Sequence, residues 1–238
     1  MKISPYKSTD KDLWDQFVEG SKNGTFLFLR DYMDYHKDRF SDSSLLIRNA
    51  KNIPIALFPA NYVESEKLVV SHGGLTYGSL LLSYEATAMD IGKMWEEIRR
   101  YYKHLGADLL HLKTIPYIYH NYPCEEELYW LFRFGAKLLS RGLSSVVDLR
   151  NPLSFSKLRK RKVKMAQQSS LELMLNAPLS YYSEFWTILE KVLLSYHNTL
   201  PVHSLEEILL LVQHFPQNIQ LALVREADNV VAGCVQYK

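Results

Sequence analysis

The sequence predicts an α/β protein built on a mixed sheet. Three observations carry that expectation: segments of helical and of strand periodicity interleave along the chain, several neighbouring strands are joined by turns too short for a crossover helix, and two antiparallel hairpins stand near opposite ends of the chain. A purely parallel, doubly wound sheet would need a helix between every pair of strands, which this order does not supply.

A first helix is expected over Lys11 to Glu19, followed by a short strand in "TFLFL" that enters a helical "RDYMDYHKDRF". A hairpin comes next, with "SLLIRN" and "IPIALFPANYV" flanking a turn at Lys51 and Asn52. A strand at Lys67 to Val70 leads into the glycine-rich "SHGGLTYGS", read as a tight turn or a loop of an acceptor site. The apolar positions Ala88, Ile91, Met94, Trp95, Ile98, Tyr102 and Leu105 fall at helical spacing, and Gly106 ends that helix. A strand over Asp108 to Leu112 follows. A helix from near Pro123 through "CEEELYWLF" carries acidic residues in its first turn, where they suit the helix dipole. Two strands, "GAKLLS" and "LSSVVDL", close this part. Beyond Pro152 come a basic helix, a strand "LELML", a helix from Leu179 to about Tyr196 and the loop "HNTLPVH". Ser204 and Glu207 form a capping box for the next helix, which Pro216 ends. The last hairpin pairs "NIQLALVRE" with "VVAGCVQYK" through a turn at Asp228 and Asn229.

Composition narrows the class. The 238 residues are 47% hydrophobic and 23% charged with a formal net charge of +2, a globular balance without general affinity for polyanions. The cysteines, Cys124 and Cys234, lie far apart with no partners at metal-ligand spacing, so neither a metal site nor a disulfide framework is expected. The longest apolar runs are too short to span a bilayer and no leader pattern opens the chain, so a cytoplasmic location is expected.

The two hairpins resemble each other: "IRNAKNIPIALFPA" aligns without a gap with "VREADNVVAGCVQY", matching Arg48, Ala50 and Asn52 to Arg225, Ala227 and Asn229. Shared turn chemistry would explain the match, and so would two related domains. The apolar final strand has no later sequence to pair with its far edge. The expectation is a truncated second copy, or a second subunit that completes the sheet by self-association.

"WDQFVEGSKNGTFLFLRDYMDYH", "LSSVVDLRNPLSFSKLRKRKVKMAQ" and "IQLALVREADNVVAGCVQYK" resemble the bacterial Fem-type peptidyltransferases and their relatives in the GNAT (acyl-CoA N-acyltransferase) superfamily. The resemblance implies tandem GNAT-like domains: a first over residues 1–150, a basic linking helix over 151–170, and an incomplete second over 171–238. It implies transfer of an acyl group from acyl-CoA, such as acetyl-CoA, to an amine of a cell-envelope or polysaccharide precursor. Aminoacyl-tRNA-dependent transfer to a peptidoglycan precursor, or a non-catalytic binding module, are the other readings. The phosphate-holding loop of GNAT enzymes, "Q/R-x-x-G-x-G/A" at a helix N-terminus, does not occur, so the residues that bind the co-substrate are not identified. No metal and no DNA partner are implied. Nucleophile-elbow, P-loop and Rossmann fingerprints are absent.

Site residues follow partly from the resemblance and partly from chemistry. Arg30, Tyr32 and His36 lie in the segment that contributes to the acceptor cleft of Fem-type proteins, although a packed amphipathic helix accounts for them equally. Tyr77 in the glycine cluster reads as a cleft aromatic or as a turn residue, and Lys113, Tyr117 and Tyr119 follow a central strand, where α/β sheets bind ligands, although prolines and tyrosines also simply order loops. His197 and His203 are the candidates to take the amine proton, with Thr199 beside them in the loop where related enzymes bind the acceptor; the other reading is that they are solvated loop histidines, His203 merely preceding the cap at Ser204. In "SKLRKRKVKMAQQ", at 100° per residue, Lys157, Lys160, Arg161 and Lys164 face one way, while Phe155, Leu158, Val163, Met165 and Ala166 fill an opposite arc of roughly 160°. Arg159 and Lys162 project within the apolar arc. They are expected either to snorkel past it or to meet an anionic acceptor in a cleft.

Overall fold

The computed structural model describes residues 1–238, which divide into two compact units, Met1–Leu139 and Ser140–Lys238.

Unit 1 opens with β1 (Lys2–Pro5), α1 (Lys11–Glu19) and the short α2 (Arg30–Met33). The strands β2 (Leu45–Arg48), β3 (Pro54–Phe58), β4 (Asn61–Val63), β5 (Leu68–Val70) and β6 (Leu81–Leu82) follow, then α3 (Ala88–His104), β7 (Leu109–His111) and α4 (Glu126–Arg133). One sheet is antiparallel in the order β1-β2-β3-β6. The other runs β4-β5-β7, and its parallel β5–β7 pair is joined through α3. The sheet content is therefore mixed, as the short turns require.

The buried face of α3 is Ile91, Met94, Trp95, Ile98 and Tyr102, one helical stripe packed on Leu45, Ile47, Phe58 and Leu82. Ala88 and Leu105, which also fit the helical spacing, are exposed at its ends. Thr87 caps this helix by accepting from the Asp90 amide, and Asp90 returns a bond to the Thr87 amide.

Unit 2 consists of α5 (Lys157–Gln167), β8 (Leu171–Met174), α6 (Tyr182–His197), α7 (Leu205–His214), β9 (Ile219–Glu226) and β10 (Asn229–Tyr237). Its antiparallel sheet has the order β10-β9-β8, so β10 is an edge strand. Tyr182, Phe185 and Trp186 of α6 and Ile208 and Leu211 of α7 are buried, as are Ile219, Leu221 and Leu223 of β9. The capping box at Ser204 and Glu207 forms as expected. Asn198 ends α6 in the left-handed region at φ 50°, which asparagine tolerates.

Three expectations are corrected. "TFLFL" is not a strand: Phe26–Phe28 form a 3₁₀ turn that buries both Leu27 and Phe28, and the Phe28 carbonyl accepts from Trp14 Nε1 at 2.8 Å. "RDYMDYHKDRF" is not one helix, because α2 ends at Met33 and a 3₁₀ turn over Asp34–His36 tightens the chain. "GAKLLS" and "LSSVVDL" form no strands, since their backbone finds no ladder partner, and Leu143, Val146, Val147 and Leu149 stay exposed.

The two hairpins share antiparallel pairing but turn differently. In the first, Arg48 lies opposite Pro54 and Asn52 has φ 63°, whereas in the second Glu226 lies opposite Asn229 and Ala227 has φ 51°. The ungapped sequence match thus does not extend to turn geometry.

Candidate functional site

The sequence-predicted residues that come together do so in unit 1, around the loop between β5 and β6. The loop leaves β5 at Ser71 and His72, the latter in the left-handed region at φ 58°, and returns at Gly78. Its shape is held by backbone and side-chain bonds: the Gly73 amide donates to Asn61 Oδ1 at 2.6 Å, the Leu75 amide to the His72 carbonyl at 3.1 Å, and the Gly78 amide to the Lys113 carbonyl at 2.6 Å. Two glycines are required by close approach. A Cβ on Gly74 would collide with His36 Nε2, and one on Gly78 would collide with the Ser71 carbonyl oxygen.

Lys113 holds the same loop from the strand side. Its amide donates to Ser71 Oγ at 2.8 Å, and its ammonium donates to the Leu75 carbonyl and reaches the Gly73 carbonyl at 3.5 Å. Partial burial lowers the ammonium's pKa. His36 and His72 lie behind the loop with their rings 5.6 Å apart, and both are almost fully buried. Desolvation, reinforced by the neighbouring His36, pushes His72 down to about 3, so it stays neutral through the physiological range. His36 stacks on Tyr35 with centroids 4.1 Å apart and contacts the Gly74 carbonyl at 3.2 Å.

At the mouth of this scaffold Tyr77 and Tyr119 stack with centroids 5.2 Å apart and an interplanar angle of 23°. Phe28 supports Tyr77 from within at 5.9 Å. Tyr77 is 9% exposed, while Tyr119 at 48% and Tyr117 at 69% present ring surface to solvent. An aromatic face backed this way is a flat, apolar and pre-ordered surface. It suits a ring whose C–H groups point at the aromatic quadrupole, with polar loop groups alongside for hydroxyls or amides.

Arg30 and Tyr32 are not part of that surface. Arg30 is 2% exposed; its guanidinium contacts Asp34 at 2.9 Å and Asp42 at 2.5 Å and lies 3.7 Å from the centroid of the Tyr6 ring. Expected as a substrate ligand, it instead ties α2 to the approach to β2, because only an inward-facing arginine can compensate both carboxylates. Asp34 is still raised above the ordinary carboxylate range, burial outweighing Arg30. Tyr32 is buried against Phe26 and Tyr35, and His36 is likewise an internal residue.

A polar group not anticipated from sequence lies beneath the loop. Glu127 of α4 is 7% exposed; it accepts from Ser79 Oγ and, at 3.4 Å, from the Leu80 amide. Burial raises it to about 7, against the weaker lowering effect of those two bonds. Asn23, also buried, donates to the Leu80 carbonyl at 2.8 Å and accepts from the Leu82 amide at 3.0 Å. Lys22 donates to the Ala86 carbonyl at 2.9 Å. The Cys124 thiol is pushed up to about 11, chiefly by burial, which makes it a poor nucleophile. A separate groove of about 650 Å³ between α3, β7 and the end of α4 is lined by Trp95, Arg99, Lys103, Leu110 and Phe134, and it contains none of the sequence-predicted site residues.

In unit 2, His197 closes α6 and is exposed, as is Thr199. His203 precedes the α7 cap, with Nε2 3.5 Å from the Tyr237 hydroxyl. Arg159 and Lys162 are exposed on α5 and enter no ion pair; within unit 2 they meet no buried carboxylate. No group of side chains has the composition and geometry of a metal site, and no helix is long and apolar enough to cross a membrane.

No protein-family model matches the chain, and no curated protein matches it. Among solved structures, FemX aligns over 94% of this chain with a TM-score of 0.54 at 13% identity. The chain spans 57% of the length of that structure. Two further structures align at scores too low to support an argument. One is a transcriptional regulator from Bacillus halodurans C-125, with a TM-score of 0.36 at 12% identity over 61% of this chain and 98% of that one. The other is a GCN5-related glucosamine N-acetyltransferase region of a fungal multi-domain GH3 β-N-acetylglucosaminidase, with a TM-score of 0.38 at 14% identity over 98% of this chain and 27% of that one. At 13% identity what the FemX likeness establishes is the architecture: the chain has a Fem-type, GNAT-like fold.

Proposed function

We propose that this chain belongs to an N-acyltransferase that moves an acyl group from acyl-CoA, acetyl-CoA being the simplest, to an amine on a cell-envelope or polysaccharide precursor. The observation that carries the reading is the alignment of 94% of the chain with FemX. It is supported by the Tyr77–Tyr119 stack over a loop pinned by Lys113, a surface suited to the ring of an amino sugar. In the reaction the amine nitrogen attacks the thioester carbonyl, the C–S bond breaks, and the proton that the amine gives up to a base passes to the departing thiolate, so that coenzyme A leaves as the thiol. His203 is the residue proposed for that base and His197 the second choice, with Thr199, Arg159 and Lys162 as proposed acceptor contacts in unit 2. The chain is also proposed to self-associate through the open edge of β10. A monomer at every concentration in light scattering would remove that proposal.

The test of the main reading uses radiolabelled acetyl-CoA and radiolabelled aminoacyl-tRNA as alternative donors, with a panel of amino sugars as acceptors. Label transferred from acetyl-CoA supports the reading, and transfer from aminoacyl-tRNA alone replaces the donor. Acceptor contact is read separately by saturation-transfer NMR with glucosamine. Signal that disappears in Tyr119→Ala supports the stacked pair as the acceptor surface, and signal indifferent to that change removes it. If neither donor works while glucosamine still binds at Tyr119, the chain is a binding module.

A further inference from the structure

Helix α5 is unlike the other helices of unit 2, because none of its residues is buried, whereas α6 and α7 each bury an apolar stripe. Six of the eight residues from Lys157 to Lys164 are cationic, and no Asp or Glu occurs from Asn151 through Ser170. None of the six is ion-paired, although acidic side chains elsewhere in the chain pair with other cations. The apolar residues on this segment are exposed as well: Phe155 is 66% open, Leu158 54%, Met165 62% and Val163 39%. The helix is well formed locally, with Ser156 Oγ accepting from the Arg159 amide at 3.2 Å and Ser169 Oγ donating to the Ala166 carbonyl at 2.6 Å. An ordered helix that leaves both its charges and its apolar side chains unpartnered has an unfilled surface of defined chemistry.

We infer that α5, with Phe155 leading into it, docks on an anionic lipid surface. Lys157, Lys160, Arg161 and Lys164 occupy an arc of about 100° at helical spacing, and Leu158, Val163 and Met165 occupy the opposing side. A helix lying in the headgroup plane places the second set among the acyl-chain boundary and the first among lipid phosphates. Arg159 and Lys162, which project within the apolar arc, have stems long enough to bring their charges up to the phosphates while their methylenes lie in the apolar layer. The pattern that looks contradictory for a packed helix is thus consistent for an interfacial one. Charge complementarity alone would also suit nucleic acid. The exposed Leu158, Val163 and Met165 decide between them: against phosphates in water they gain nothing, and Phe155 is the single aromatic ring of the segment, where a nucleic-acid groove interleaves several with its cations. This inference does not rest on the acyl-transfer reading, and for Arg159 and Lys162 it puts lipid phosphates in place of the acceptor contacts proposed above.

The experiment is co-sedimentation of the full chain with vesicles of phosphatidylcholine alone and of phosphatidylcholine mixed with phosphatidylglycerol, at low and at physiological salt. The chain should pellet with the mixed vesicles and not with the neutral ones. Replacing all four of Lys157, Lys160, Arg161 and Lys164 by Gln should weaken binding by more than about a hundredfold, since each cation near such a surface is worth about fivefold. The double variant Leu158→Ser and Met165→Ser, which leaves every charge in place, should weaken it by about tenfold. All six positions are exposed, and circular dichroism confirms that each variant is folded. Failure to bind the mixed vesicles overturns the inference, as does binding indifferent to the four Gln changes. So does binding that the Ser variant leaves intact while tRNA competes it away, which would make α5 a polyanion grip.

Discussion

Glu127 makes the stability of unit 1 fall as pH rises. A carboxyl whose ordinary pKa is 4.5 is held at about 7 by burial against Ser79 and the Leu80 amide. The folded state therefore keeps a proton that the unfolded chain has already lost, and the associated stability is present in full below about pH 4.5 and is lost as pH rises to about 7. Each tenfold in proton affinity is about 1.4 kcal/mol, so the loss amounts to about 3 kcal/mol. The groups around it do not reverse this. Cys124 is neutral through the range, and the Lys22 ammonium is engaged with the Ala86 carbonyl. Glu127→Gln keeps a neutral, hydrogen-bonding side chain and removes the titration. Urea unfolding can be followed by tryptophan emission, since Trp14 and Trp95 are buried in unit 1. It should show wild type and variant close to each other near pH 4 and the variant more stable by about 3 kcal/mol at pH 8. Parallel stability–pH curves for the two proteins would refute the reasoning, because the comparison subtracts every other titrating group.

Other predictions follow from single contacts. Arg30→Met should destabilise unit 1 by about 2 to 3 kcal/mol, less than for a fully buried pair, because its carboxylate partners Asp34 and Asp42 are partly exposed. Arg30→Lys should recover little, since the shorter side chain does not carry its ammonium to the point where Arg30 Nη2 meets both carboxylates and has no planar group to lie over Tyr6; thermal unfolding measures both variants. Gly74→Ala should cost about 1 to 3 kcal/mol by driving His36 off its stack on Tyr35, a change that histidine ring proton shifts in NMR would report. Asn23→Leu should cost about 2 to 3 kcal/mol, because it leaves the Leu80 carbonyl and the Leu82 amide without their partner; denaturant unfolding reads it.

Where a segment's structure depends on its own residues, it is legible in the sequence. The bounds of α1, the capping box at Ser204 and Glu207, and the buried stripe of α3 follow from spacing and local hydrogen bonding. What escapes depends on distant partners. "TFLFL" is a short apolar run of strand-like composition, yet Trp14 claims the Phe28 carbonyl and the turn buries consecutive side chains. "LSSVVDL" has strand composition, but a strand is defined by its neighbour. Glu127 sits in the first turn of α4, where an acidic residue is explained by the dipole alone, and nothing local announces that its carboxyl turns inward to Ser79. Within the candidate site, glycine spacing and a strand end mark the segments that carry Tyr77, Lys113 and Tyr119, whereas a buried arginine such as Arg30 and a ligand-binding one read alike in sequence.

The division at Leu139 also bears on how the molecule can be taken apart. Lys137, Arg141 and Arg150 lie on exposed chain without regular structure, so trypsin has cleavage points there that the folded units do not shield. Every contact that shapes the tyrosine surface lies on the N-terminal side of those points, and the basic helix lies on the other. The proposed recognition of a sugar ring and the proposed attachment to a lipid surface would thereby fall to different fragments, and a digestion stopped at those points would let each be assayed without the other.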